Sequence, residues 1–272
     1  MTREEWLRTH AFLEPVARLV ARAEAAAAGI DCAAVELPPW GDYAADYEAG
    51  VSLLRSGDVA IDLAPAGAMT LALLDVFAKS TPSDRVTEDA RVLVAELARA
   101  PGAPQRVADV LLGEDAGSVG SPGLLRFLGW TAARRFLQPA LVAFAKWRDQ
   151  DRWQRSQCPV CGALPAMAQL VGVDPGRMRF LACGCCTSRW RYRRTACPFC
   201  EDDSQRLQVL AVEGEGGLRL DHCLLCRGYL KTYAGQGNED VMLADWTSLH
   251  LDVLAHDRGL ERKAASLYSL DQ

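Results

Sequence analysis

Eight of the ten cysteines in this chain fall into four Cys-x-x-Cys pairs: Cys158 with Cys161, Cys183 with Cys186, Cys197 with Cys200, and Cys223 with Cys226. The first two pairs are separated by 21 residues, the last two by 22, and the inner two by only 10. Two residues between cysteines let one tight turn aim both sulfurs at a single ion, and a second such turn on a facing hairpin completes a tetrahedral four-sulfur site. The spacing therefore predicts two matched units, each clasped by its own ion and using its pairs in sequence order. An interleaved use, first pair with third and second with fourth, would waste the equal hairpin lengths.

The residues between the pairs read as hairpins. After Cys161 comes an apolar run around Met167 to Val173, the turn Asp174-Pro175-Gly176, and then Met178-Arg179-Phe180-Leu181. Pro and Gly occupy the second and third turn positions, as such turns require. The second unit repeats the plan with residues 207–212, the turn Glu213-Gly214-Glu215-Gly216-Gly217, and Leu218-Arg219-Leu220 leading into Cys223. A closed cage of four thiolates suits zinc or a single iron about equally, so two metal ions, iron or zinc, are the expected cofactors. The competing readings are disulfides and a thioredoxin-type redox pair. The charged start, Met1 to Trp6 without a following apolar core, is what a chain kept in the reducing cytoplasm would show, which disfavours disulfides. No βαβ pattern surrounds any pair, which disfavours the redox motif.

A four-cysteine ribbon is too small to hold a core without its ion, so the cysteine-poor part of a 272-residue chain must build its own. Apolar residues recur at helical spacing over residues 4–28, with Pro15 placed to kink or split the helix. Further helices are expected at 40–54, 66–79, 83–100 and 104–112. A glycine-marked loop (Gly113, Gly117, Gly120, Gly123) follows, then a long stretch at 124–153 interrupted by Pro139. Beyond the last cysteine pair, Gly228 to Tyr233 reads as a strand and residues 240–262 as partly helical. The expected fold is a multidomain α+β chain: an all-α N-terminal bundle at 1–155, a first ribbon at 156–195, and a second ribbon with a C-terminal segment at 196–272. The net charge of −5 does not suit a chain built as a whole for nucleic acid, and no apolar run approaches the roughly 20 residues of a membrane span.

Between the ribbons Arg189, Trp190, Arg191, Tyr192, Arg193 and Arg194 alternate basic and aromatic side chains. On a strand this puts the aromatics on a core and the arginines on a surface, which could meet an acidic partner or nucleic acid. Cys185 sits inside a pair already complete and is expected to be a non-ligand, as is the solitary Cys32. His222 next to Cys223 would displace it only if the Cys-Leu-Leu-Cys pair were broken. His10 is the bundle's only histidine, and His250 and His256 have no acidic or cysteine neighbours in sequence. All are expected to be ordinary side chains.

Cys-Pro-Val-Cys-Gly at 158–162, Phe180-Leu181-Ala182 before Cys183, Trp190 four residues after Cys186, Cys-Pro-Phe-Cys at 197–200, and Cys-Leu-Leu-Cys at 223–226 before Gly228-Tyr229-Leu230-Lys231 together resemble the formate dehydrogenase accessory protein family, FdhE. The motifs cover about the last 120 residues, and the helical half agrees in type and length. The resemblance implies a cytoplasmic maturation factor, not a pathway enzyme, that acts on the catalytic subunit of a respiratory formate dehydrogenase before twin-arginine export. It also implies two rubredoxin-like modules, carrying iron or zinc on Cys158, Cys161, Cys183, Cys186, Cys197, Cys200, Cys223 and Cys226. Cys185 departs from the pattern. Two other functions compete: a zinc-ribbon nucleic-acid-binding protein, whose binding would fade steeply with salt, and a rubredoxin-like electron-transfer component.

Overall fold

The computed structural model describes residues 1–97, 101–113, 119–173, 175–204 and 206–270. The first expected helix is two: α1 (Arg3–Thr9) and α2 (Glu14–Ala28), separated by a 3₁₀ turn at Ala11–Leu13. A capping box starts α1, with Glu5 N donating to Thr2 Oγ1 at 3.1 Å and Thr2 N donating to the Glu5 carboxylate at 2.6 Å. The break falls at His10, not at Pro15, which occupies the first turn of α2 where a missing N–H has no partner to lose. The next helix, α3 (Trp40–Ala49), stops short of Leu54 because Gly50 turns left-handed at φ 81°. Leu53–Arg55 forms a 3₁₀ turn instead.

Helices α4 (Ala64–Lys79), α5 (Asp84–Leu97) and α6 (Ala103–Leu111) lie where apolar periodicity places them. Residues 98–100 of the expected fourth helix, and Gly117 of the glycine loop, lie outside the described residues. The long α7 (Pro122–Trp147) runs through Pro139 as one helix and ends at Arg148, so Trp153 is not helical. No helix among the described residues is long and apolar enough to cross a membrane.

Two compact units emerge. One, comprising Glu14–Tyr43, Gly57–Arg148 and Leu267–Gln272, is the helical body. Its centre is α4, which packs against α5, α6 and α7 through Leu73, Leu74, Phe77, Leu93, Val107 and Leu128, all fully buried. Gly67 lets α4 approach the start of α6, since a Cβ there would lie 2.0 Å from the Pro104 carbonyl oxygen. Trp40 and Tyr43 pack around Phe144 and Trp147.

The other unit joins Met1–Leu13, Ala44–Ser56 and Asp149–Ser266. The strands are β1 (Pro165–Val171), β2 (Met178–Cys183), β3 (Arg189–Tyr192), β4 (Leu207–Ala211), β5 (Leu218–Cys223), β6 (Gly228–Tyr233) and β7 (Glu261–Arg262). Both ribbons are present as antiparallel meanders, β1-β2-β3 and β4-β5-β6, but they form one sheet of order β3-β2-β1-β6-β5-β4. The join is parallel, with Met167 opposite Lys231, Ala168 opposite Thr232 and Gln169 opposite Tyr233. The reason is burial: every residue of β6 and all but the last of β1 are buried, so neither strand can serve as an open edge. Whereas the sequence divides linearly at 155 and 195, this unit also draws in two short N-terminal segments.

Burying both faces of β6 forces Lys231 inside, at 1% exposure. Its ammonium lies 2.6 Å from Asp245 and 2.9 Å from Asp252, in the segment that carries α8 (Glu239–Met242), a 3₁₀ turn (Asp245–Ser248) and α9 (Leu249–Asp257). Arg262 of β7 closes the cluster, 2.8 Å from Asp245 and 2.7 Å from Asp252. Burial pushes the Asp245 carboxyl up, but the two cations outweigh it and hold the group down at about 2. A second buried pair spans the ribbons: Arg179 of β2 lies 3.2 Å from Asp221 of β5 and donates to the Ala196 carbonyl at 3.1 Å. In β3, Trp190 and Tyr192 are buried and the arginines lie outward, as alternation predicts.

Candidate metal centres

All four cysteine pairs build the same turn. The amide four residues after the first cysteine donates back to that cysteine's carbonyl in three of them: Gly162 to Cys158, Glu201 to Cys197 and Arg227 to Cys223, each at 2.9 Å. The residue after the second cysteine is left-handed in every pair: Gly162 (φ 77°), Thr187 (65°), Glu201 (59°) and Arg227 (58°). Thr187, Glu201 and Arg227 are also the non-glycine residues with positive φ among the described residues. Backbone strain of roughly 1 kcal/mol or more at each is concentrated on these turns, which is where over-determined functional geometry is found.

The turns bring the thiols together in sequence order. Cys158, Cys161, Cys183 and Cys186 form one group and Cys197, Cys200, Cys223 and Cys226 the other, with the sulfurs of each within 4.8 Å of one another. In the first group Cys158 and Cys186, and likewise Cys161 and Cys183, have sulfurs 3.4 Å apart. In the second, Cys197 and Cys226 are 3.7 Å apart and Cys200 and Cys223 are 3.8 Å apart. Four thiolates at about 2.3 Å from a central ion stand about 3.8 Å from each other, so both groups have the dimensions of a tetrahedral cage. None of the eight is in a disulfide.

Amides point at the sulfurs as they do towards thiolates. Val160 N lies 3.4 Å from Cys158 Sγ, Cys185 N 3.3 Å from Cys183 Sγ, Phe199 N 3.4 Å from Cys197 Sγ and Gly228 N 3.4 Å from Cys226 Sγ. Burial pushes the Cys158 and Cys197 thiols up. Hydrogen bonds from Cys158 and Cys161 hold Cys183 well below the usual thiol range. Cys223 also ends low: burial raises it, but the amides of Cys226 and Leu225 and the thiol of Cys200 lower it by more. Four thiolates packed this closely repel one another, and a cation at their centre would offset that repulsion.

The surroundings differ. All four sulfurs of the first group are buried, and the Cys158 turn is braced by the Leu53–Arg55 turn. Leu53 N and Leu54 N donate at 2.9 Å to the carbonyls of Pro159 and Val160, and Ser52 Oγ donates to Cys158 O at 2.9 Å. Nothing in the cysteine spacing announces this brace. In the second group Cys200 is exposed and Cys226 half-buried.

Cys185 is buried but belongs to neither group, and Cys32 is half-buried and outside both. His222 precedes Cys223 without replacing it. His256 is exposed as expected. His10 and His250 depart from expectation: His10 is buried, His250 is half-buried, and both face Glu215 of the β4–β5 turn. These three residues are separated by 205 and 35 positions, so no local spacing could have found them.

Comparison with known proteins bears on these turns. Residues 157–194, the whole first ribbon, match the model of the FdhE central domain. Over this stretch the chain is similar to the FdhE family. It is 34% identical over 124 residues to a protein FdhE homolog of Pseudomonas aeruginosa, covering 42% of this chain and 39% of that protein. It is 34% identical over 161 residues to the homolog of Stutzerimonas stutzeri (54% and 48% covered), and 32% identical over 133 residues to that of Aquifex aeolicus (46% of each). The chain thus matches less than half the length of these curated relatives. The crystal structure of the FdhE protein from Pseudomonas aeruginosa superposes with a TM-score of 0.60 at 25% identity, over 91% of this chain and 85% of that one. The helical half, where motifs are lacking, is therefore shared as a fold.

Proposed function

We propose that the chain is a metal-containing accessory protein for a respiratory formate dehydrogenase, binding the catalytic subunit in the cytoplasm before export and catalysing no reaction of its own. In this reading Cys158, Cys161, Cys183 and Cys186 hold one ion and Cys197, Cys200, Cys223 and Cys226 a second, each iron or zinc. The observation that carries it is the pair of four-thiol groups at cage dimensions, set on a family match to the central domain. A four-thiolate cage leaves no coordination position for water or substrate, which suits a rigid binding surface and rules out hydrolytic Lewis-acid chemistry at those ions. Zinc there would be redox-silent; iron would add one-electron transfer.

The nucleic-acid reading loses support because Arg191 and Arg193 face Asp151 and Asp203. Two measurements test the proposal. Elemental analysis of anaerobically purified protein should find two ions per chain, falling to one in Cys158→Ala and unchanged in Cys32→Ser and Cys185→Ser. A metal content in Cys158→Ala equal to the parent's rejects the ligand assignment. Co-purification with a formate dehydrogenase catalytic subunit tests the partner, and a subunit that never co-purifies with an intact, metal-loaded chain rejects that part.

A further inference from the structure

A third cluster of ligating atoms lies apart from the thiols. His10 ends α1, Glu215 sits in the β4–β5 turn, and His250 is the second residue of α9, all three in the sheet-containing unit. Glu215 Oε2 lies 3.2 Å from His10 Nε2 and 2.8 Å from His250 Nε2, and the three ligand atoms fall within 4.8 Å of one another.

The turn is built to deliver this carboxylate. Gly214, Gly216 and Gly217 all have positive φ, at 82°, 59° and 94°, which lets the chain double back on either side of Glu215. A Cβ at Gly216 would come 2.5 Å from Met242 Cε and 3.4 Å from the Trp6 ring, so the turn is closely seated. The two rings are fixed as well. Trp6 stacks on His10 with centroids 3.7 Å apart, and Phe12 packs edge-on against both imidazoles.

The surroundings of His10 suit a ligand. Its Nδ1 lies 3.0 Å from the Trp6 carbonyl oxygen, which can only accept, and 2.9 Å from the Thr9 hydroxyl, which can donate or accept. In the tautomer whose Nδ1–H donates to that carbonyl, Nε2 is bare and faces a carboxylate oxygen that is also only an acceptor. In that tautomer a cation between the two acceptors satisfies both. An imidazole whose second nitrogen donates to a backbone carbonyl is the arrangement that orients metal-ligating histidines. With bonds of roughly 2.1 Å to one ion, the two observed separations subtend about 100° and about 85°, angles ordinary for coordinated donors.

We propose that His10 Nε2, His250 Nε2 and Glu215 Oε2 form a third metal site, for a borderline divalent cation such as zinc. Two imidazoles and one carboxylate select such ions over calcium or magnesium, which take oxygen ligands. Three protein donors leave a position open, and His250 and Glu215 retain 20% and 13% side-chain exposure, so the ion exchanges with solvent. This site is independent of the thiolate assignment and of the partner.

The test uses intact protein with its thiolate ions in place, dialysed against zinc and in parallel against cobalt(II). The parent should take up one further equivalent, and the bound cobalt should show ligand-field bands without sulfur charge transfer. Glu215→Gln and His250→Asn, which keep size and avoid the buried His10, should each lose that equivalent while keeping the thiolate-bound ions and a parental circular dichroism spectrum. Cys158→Ala should retain it. No uptake by the parent, or uptake unchanged in both variants, would overturn the site and leave an imidazolium–carboxylate contact only.

Discussion

Replacing Lys231 by Met removes the only charge that β6 sends into the interior of the sheet unit while nearly preserving side-chain length. The ammonium faces Asp245 at 2.6 Å and Asp252 at 2.9 Å and donates to the carbonyls of Asp245 and Ser248 at 3.1 and 3.3 Å. Its loss leaves Asp245, at 5% exposure, with Arg262 at 2.8 Å and the Ser266 hydroxyl at 3.1 Å. Breaking a buried pair by deleting one partner costs about 3–5 kcal/mol, and the surviving Arg262 places this case near about 3 kcal/mol. Amide hydrogen exchange reads it directly, because β6 and α9 should open together and exchange roughly a hundredfold faster at about 3 kcal/mol. Adding Asp245→Asn should recover at least about 1 kcal/mol, since it removes the stranded charge. A loss under about 1 kcal/mol, or a double variant no more stable than the single one, would refute the claim that this cluster clamps the C-terminal segment to the sheet.

The same aspartate sets an acid limit. Its carboxyl is lowered from an ordinary 3.8 to about 2, so its contribution of about 2 kcal/mol is complete above pH 4 and fades as the pH falls through about 2; Asp245→Asn should flatten that part of an acid-unfolding curve. Arg179→Leu should destabilise the sheet by about 3 kcal/mol in denaturant unfolding because Asp221 is left buried with the partly exposed Arg219 and the Thr232 hydroxyl, and a change within 0.5 kcal/mol, roughly the scatter of surface substitutions, would count against it. Gly67→Ala should lower the melting temperature of the helical unit, as its methyl meets a backbone carbonyl that cannot rotate away, at a cost of about 1–3 kcal/mol. A chelator should strip the second thiol group first, through exposed Cys200; simultaneous loss in a time-resolved metal assay contradicts the difference in burial.

What could be read in the sequence was what neighbouring residues determine. Two residues between cysteines specify a turn, and equal gaps specify which turns face each other, so the grouping of eight thiols followed from spacing. The hairpins around Pro175-Gly176 and Gly214 to Gly217 followed from their turn residues. Helix existence was likewise local, whereas helix ends were not: Gly50 stops α3, while Pro139, a stronger breaker in principle, is accommodated inside α7. The join of the two ribbons was hidden because it pairs Met167 with Lys231, and a lysine in an apparently ordinary strand does not announce that both faces are buried. His10, Glu215 and His250 could not be connected until the turn, the helix end and α9 were placed in space.

The parallel seam between β1 and β6 has a practical consequence for anyone who would cut this protein into pieces. A fragment ending before Cys197 keeps its first four thiols but bares the flank of β1, and one beginning there bares half of β6; either exposes hydrogen-bonding groups along a strand rich in Met, Leu, Val and Tyr. Such fragments should recruit a substitute strand from one another, yielding paired or clumped material even when fully metallated.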